Sequence, residues 1–197
     1  MAASIFWLWM AALPLMGSPG PATLSLSAIG AAFGARRGVG YLVGIILGTS
    51  GVLLLVASGV TGLILAIPAL VWIVSVLAAG YIVYLAYRIA TASVLSKQSH
   101  DAQAPSVISG LALAIANPKA FAAIGAVYSG HIVVPNDAFE DAVVKILALV
   151  LVIVVVNTAW LMFGSAFSVV LEDPRRARTA NISFAVLLVV SVVAGLL

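Results

Sequence analysis

Two short stretches decide how this chain folds: Met16-Gly17-Ser18-Pro19-Gly20-Pro21 and Ala116-Asn117-Pro118-Lys119-Ala120. Each lies inside an apolar run and carries a proline, which interrupts a helix because it lacks an N–H. In each, a good N-cap residue, Ser18 or Asn117, precedes a proline suited to the first helical position. The pattern predicts a half-helix, a break, and a second half-helix that begins inside the apolar run.

Around these breaks, charged and turn residues divide the chain into six apolar runs. Each run has about 19 residues or more, enough to cross a hydrocarbon core roughly 30 Å thick. With 64% apolar and 8% charged residues, the composition predicts an all-α membrane protein with six transmembrane helices, of which helices 1 and 4 are broken near mid-membrane. The predicted spans are Ser4–Phe33, Val39–Gly59, Pro68–Ala90, Val107–Tyr128, Ala142–Val170 and Thr179–Leu197.

The basic residues orient these helices. Seven of the nine lie in or beside the loops after spans one, three and five, whereas the other side holds Lys145 and the acidic stretch from Asp137 to Asp141. The positive-inside rule therefore predicts a multi-pass protein of the inner (plasma) membrane with both termini outside. No basic residue precedes Arg36, so we expect the first run to be a retained helix and not a signal peptide. The seven are Arg36, Arg37, Arg88, Lys97, Arg175, Arg176 and Arg178.

The two broken helices begin two halves, about residues 1–95 and 107–197, of one transmembrane domain covering residues 1–197. Three crossings per half invert the second half relative to the first, so the internal N-termini approach the midplane from opposite sides, as in inverted-repeat transporters. A helix N-terminus offers free N–H groups and about half a positive charge, which suits a carboxylate. The pattern favours a midplane substrate site, although structural kinks are also common at membrane prolines.

Several motifs together resemble those of the lysine exporter superfamily (LysE/RhtB) over nearly the whole chain. Its N-terminal signature is similar to Gly17-Ser18-Pro19-Gly20-Pro21, Gly30, Gly34-Ala35-Arg36-Arg37-Gly38, Gly44 and Gly48. Its later helices are similar to Tyr84-Leu85-Ala86-Tyr87, Gly110, Ala116-Asn117-Pro118-Lys119-Ala120, Trp160 and Asn181. The resemblance implies export of amino acids or close relatives from the cytoplasm in exchange for protons. Many members have an acidic residue in the fifth helix where this chain has Asn157.

Individual residues sharpen the predicted site. Lys119 lies deep in span four, where a charge costs at least about 2.5 kcal/mol, and in the first turn of a helix, where the helix dipole repels cations. We therefore expect Lys119 to have a functional role or a partner, unless its side chain extends to the membrane surface. Asn157 and Trp160 share a face of helix five and could contact substrate or another helix. The predicted substrate-binding residues are Ser18, Pro19, Gly20, Pro21, Asn117, Pro118, Lys119, Asn157 and Trp160.

Small and hydroxylated residues have simpler roles. Gly40, Gly44 and Gly48 recur at every fourth position of helix two and predict close helix–helix packing. Hydroxyl groups in the first span, on Thr23, Ser25 and Ser27, are expected to bond the backbone.

Charge also limits the substrate. The six predicted spans contain no Asp or Glu, so nothing there would neutralise a lysine or arginine side chain. We therefore expect a secondary transporter that exports small neutral amino acids or close relatives by alternating access, with the lipid bilayer as a partner and, as the resemblance implies, protons as well. No enzyme constellation, cofactor motif, metal site or nucleic-acid partner is predicted. A non-transporting membrane subunit or assembly factor, an exporter of another small solute or inorganic ion, and a homo-oligomer remain open.

Overall fold

The computed structural model describes residues 1–59, 68–91 and 104–170, together with 178–179, 182–183, 185–187 and 189–190. In these ranges every regular element is an α-helix, which confirms the all-α prediction for this part of the chain. The predicted sixth span lies largely outside the described residues. The helices are α1 (Ala2–Gly17), α2 (Pro21–Phe33), α3 (Ala35–Ala57), α4 (Pro68–Ala90), α5 (Val107–Ile115), α6 (Pro118–Gly130) and α7 (Ala138–Val170).

The described residues contain between two and four candidate membrane spans. Two helical stretches are long and apolar enough to cross a membrane alone: α3, and Ala138–Ala166 within α7. The pairs α1–α2 and α5–α6 meet the same test if each bent pair is one span. The arrangement of six helices as two inverted repeats stays a prediction.

Two helices begin four residues before the predicted spans: α3 begins at Ala35 instead of Val39, and α7 begins before the predicted start of the fifth span. Helix α7 begins at Ala138 instead of Ala142, because the Asp137 carboxylate accepts hydrogen bonds from the N–H groups of Phe139 and Glu140, each at 2.9 Å. The longer helix takes in Asp141, which lies outside the predicted span. Asp141 is buried and forms an ion pair with Lys145, with 2.8 Å between Oδ2 and Nζ.

Both predicted breaks exist, and their bends are similar. The axes of α1 and α2 meet at 65° and those of α5 and α6 at 61°. At the second break Asn117 is the N-cap and Pro118 the first helical residue, as predicted. At the first break the predicted cap was wrong, since the N-cap of α2 is Gly20. Ser18 instead completes the last turn of α1, because its hydroxyl donates back to the Leu15 carbonyl at 2.9 Å.

Glycines allow two helix crossings in which backbones touch. A Cβ on Gly30 of α2 would collide with the Leu161 carbonyl oxygen of α7 and lie 2.8 Å from Ser165 N. A Cβ on Gly44 of α3 would collide with the Val107 carbonyl oxygen, and one on Gly48 would lie 2.8 Å from the Leu111 carbonyl oxygen, both in the α5 segment. The predicted close packing is confirmed for Gly44 and Gly48, whereas a Cβ on Gly40 would make only an ordinary contact with a Val107 methyl group at 3.7 Å.

The apolar core consists of two clusters stacked along α3 and α7. The first includes Tyr41 and Ile45 of α3 and Leu161 of α7. The second includes Val52 and Leu53 of α3 and Leu149, Ile153 and Val156 of α7. Because both helices pass from one cluster to the other, the residues between lie in a layer separating the clusters.

The two ends of this bundle differ in charge. The α2–α3 junction, which precedes the exposed Arg36 and Arg37, lies against the far end of α7, where Ala35 N donates to Ser165 Oγ at 3.0 Å. The acidic first turn of α7 lies at the opposite end of that helix. We call the former the arginine end and the latter the acidic end.

Candidate functional site

A cavity lies in the layer between the two clusters, where both breaks meet α3 and α7. Its empty space is about 440 Å³, a figure that includes the space at its open mouth. The apolar part of its wall comes mainly from α6 and α7, with one residue each from α1 and α2, and comprises Met16, Ala22, Ala120, Ala123, Ile124, Ile153 and Val156. Its polar side chains are Thr23, Thr49, Asn117, Lys119 and Asn157.

The N-terminus of α2 presents two unused backbone donors to this cavity. The Gly20 N–H is occupied by the Thr23 hydroxyl at 2.9 Å, and Pro21 has no N–H. The N–H groups of Ala22 and Thr23 have no hydrogen-bond partner among the described residues. Thr23 is only 5% exposed and both residues line the cavity. Buried N–H groups are seldom left unpaired, so this helix end is suited to an anion.

The N-terminus of α6 is different because it caps itself. The Asn117 side-chain oxygen accepts from Lys119 N at 3.2 Å, and the Asn117 carbonyl accepts from Ala120 N at 3.0 Å. At the start of α6 the N–H groups of Lys119 and Ala120 are therefore both occupied, unlike those of Ala22 and Thr23 at the start of α2. What this break presents instead is the Asn117 side-chain NH₂ group, which bonds nothing in the described part of the chain.

Lys119 joins the two breaks. Its ammonium donates to the carbonyls of Ser18 and Pro19, the latter at 3.2 Å, just beyond the C-terminus of α1. A cation at a helix C-terminus is stabilised by the helix dipole, which offsets its unfavourable place in the first turn of α6. Lys119 is thus paired with carbonyls rather than snorkelling. The side chain passes so close to Gly20 that a Cβ there would lie 2.6 Å from Lys119 Cδ.

Helix α7 contributes two of the predicted residues in different ways. The Asn157 NH₂ group donates to the Ile153 carbonyl at 2.8 Å, and its oxygen has no partner among the described residues. Asn157 lines the cavity and is 6% exposed. Trp160 does not line it. Its indole N–H donates to the Gly17 carbonyl at 3.0 Å and so attaches α7 to the first break.

The structure brings the predicted site residues together at the two breaks, in unequal roles. Four of them line the cavity, whereas Pro21 and Pro118 begin α2 and α6 beside it. The four are Gly20, Asn117, Lys119 and Asn157. Ser18 and Pro19 contribute carbonyls to Lys119, and Trp160 holds the neighbouring turn.

The hydroxyl groups of the first span form the hydrogen bonds that the sequence predicts, but one hydroxyl of the cavity was not predicted. The first-span hydroxyls bond backbone carbonyls as predicted, for example Ser25 to Ala22 at 2.8 Å and Ser27 to Trp160 at 3.1 Å. The sequence interpretation missed Thr49, which lines the cavity. The available signal was a pair of hydroxyl residues, Thr49 and Ser50, directly after Gly48 in an otherwise apolar stretch of α3.

The described helices include candidate membrane spans, and a cavity with polar side chains lies between two broken helices. These features are those of a membrane protein with an internal site. The chain belongs to the LysE type translocator family, whose model matches residues 13–197. The resemblance read from the motifs is thereby confirmed. Members of this family are transporters rather than enzymes, and the chain is accordingly a membrane translocator of a small solute. No curated protein and no solved structure matches it.

Proposed function

We propose that this protein is a secondary exporter of small neutral amino acids or close relatives, working by alternating access around the cavity between the breaks. The single observation that carries the proposal is the pair of unpaired N–H groups at the buried N-terminus of α2, beside the Lys119 ammonium. Two aligned N–H donors and a cation match a carboxylate, the group that all amino acids share.

The walls of the cavity favour a neutral side chain. The surfaces of α6 and α7 that face it carry Ala, Ile and Val, and no acidic residue lines it. Asp141 does not change this, because it lies at the acidic end in an ion pair with Lys145. A lysine or arginine substrate would place an unpaired cation against apolar walls, which costs several kcal/mol.

The packing around the cavity supports alternating access. Toward the arginine end, backbone contacts at Gly30, Gly44 and Gly48 leave no gap between the helices. We infer a conformer closed at the arginine end, within a domain of two inverted three-helix repeats, residues 1–95 and 107–197. The proposed arginine end is cytoplasmic and both termini are outside.

The test is solute efflux from proteoliposomes that contain the purified protein. Vesicles loaded with labelled L-alanine, L-valine or L-lysine should release the neutral amino acids and retain lysine. An imposed pH gradient in the same vesicles tests the exchange for protons that the family resemblance implies. Efflux of lysine alone, or of none of the three, would refute the proposal.

Orientation has its own test, helped by the absence of cysteine. In intact cells Asp137→Cys, at the acidic end, should react with an impermeant thiol reagent, and Ala104→Cys, in the segment before α5, should react only after permeabilisation. The opposite labelling pattern would reverse the proposed direction of transport.

A further inference from the structure

The cavity contains a hydroxyl group that the proposed carboxylate site leaves unused. Thr49 of α3 lines the cavity and is 8% exposed. A buried threonine in a helix commonly donates to a carbonyl in the preceding turn, but the Thr49 hydroxyl forms no hydrogen bond within the described residues. A buried polar group without a partner is rare and destabilising, so a ligand is the natural explanation.

The oxygen of Asn157 is in the same situation on the neighbouring helix. Because its NH₂ group is held by the Ile153 carbonyl, the amide orientation is fixed and the oxygen is the atom left over. That oxygen can only accept a hydrogen bond. Like Thr49, the residue is more than nine-tenths buried and lines the cavity.

The two groups lie at the same level of the bundle. Along α3, Thr49 falls between Ile45 of the first apolar cluster and Val52 of the second. Along α7, Asn157 falls between Val156 of the second cluster and Leu161 of the first. Since α3 and α7 pack against each other, both oxygens belong to one polar layer of the cavity wall.

We propose that Thr49 Oγ1 and Asn157 Oδ1 form the subsite for the substrate's ammonium group. This rests on the proposed function, because it assigns the other end of the same solute. An ammonium group has three donors and no acceptor, so it requires oxygen atoms and is repelled by the donors of the carboxylate site. Thr49 is then a specificity-determining residue, which separates amino acids from carboxylic acids that lack an amine.

The experiment compares the wild type with Thr49→Val and Thr49→Ser in purified protein, by calorimetric titration with L-alanine and with propionate, which lacks the amine. Thr49→Val keeps the shape and removes the hydroxyl, so it should weaken L-alanine binding about tenfold or more and leave propionate binding within about twofold. Thr49→Ser restores a hydroxyl and should bind L-alanine nearly as the wild type does. Melting temperatures establish that the variants are folded, and Thr49→Ala replaces Thr49→Val if the latter is not.

Two results would overturn the assignment while the exporter proposal stands: unchanged L-alanine binding by Thr49→Val, or an equal loss for L-alanine and propionate. The second would mean that Thr49 shapes the cavity without contacting the amine. If the wild type binds no neutral amino acid and shows no efflux, the proposed function itself fails, and the ammonium subsite fails with it.

Discussion

The two breaks have similar bends and proline positions but opposite chemistry. At the first, a glycine N-cap leaves the N–H groups of Ala22 and Thr23 unpaired in the cavity. At the second, the Asn117 side chain uses its oxygen to cap its own helix. The second break also supplies Lys119, whose ammonium lies at the end of the first. In the proposed site, the first break therefore receives the anion, and the second is a support that supplies a cation.

This difference shows why a repeated sequence pattern does not imply repeated function. A proline after a polar residue produces a bend in both places, because the bend depends only on local backbone geometry. Whether the new helix end is free depends on the cap. Glycine has no side chain to fill the donors of the first turn, whereas asparagine does so directly. The predictions below test this asymmetry, from the largest expected effect to the smallest.

The largest effect is expected for Lys119→Met, which keeps an unbranched side chain but removes the link between the breaks. The variant loses two charge-assisted hydrogen bonds, each worth about 1.5–3 kcal/mol, and the cation beside the anion site. Efflux of L-alanine from proteoliposomes should fall at least about tenfold at equal protein content. Lys119→Arg should recover only part of it, because a planar guanidinium does not fit the same space. Normal efflux by Lys119→Met would show that the breaks work independently.

The next effect is expected for Gly20→Ala. Its backbone is extended, with φ of −174°, so alanine is not strained there, but its Cβ would lie 2.6 Å from Lys119 Cδ and 3.0 Å from Nζ. The flexible lysine must move away from the Ser18 carbonyl, and efflux should fall about fivefold with little loss of protein abundance.

Gly17→Ala is the matched control in the same break. The nearest atoms to its Cβ would be Val156 methyl groups at 3.8 and 4.0 Å, an ordinary contact, so efflux should stay near that of the wild type. Equal losses for the two variants would indicate that the break tolerates no added volume, irrespective of Lys119.

A smaller and different effect is expected for Asn117→Ala. Loss of the cap should destabilise α6 by about 1 kcal/mol and lower the melting temperature of the purified protein. Asn117→Ser keeps an N-cap hydroxyl and should restore stability. The serine variant still lacks the amide NH₂ group, so any efflux defect that persists in it is due to the loss of that group from the cavity. Identical melting curves for wild type and Asn117→Ala would mean that the second break is not held by its cap.

The smallest effect is expected for Ser18→Ala. Its hydroxyl only donates back to the Leu15 carbonyl, and the interaction with Lys119 uses the backbone carbonyl, which alanine retains. Stability should change by less than about 0.5 kcal/mol and efflux by less than about twofold. A loss comparable to that of Asn117→Ala would show that Ser18 is a cap after all, as the sequence pattern suggests.

The sequence by itself determined the all-α class, the position of both breaks, the family, and the packing role of the helix-two glycines, since these follow from local properties: proline geometry, apolar length and small side chains. The tertiary structure decided which helix end stays free, because the cap depends on whether Ser18 turns back to Leu15 or forward to the next helix. It also decided the partner of Lys119, a carbonyl 100 residues away in sequence.

The position of Thr49 in the cavity wall was likewise decided by the tertiary structure. Only the packing of α3 against α6 and α7 shows which residue of α3 faces the cavity.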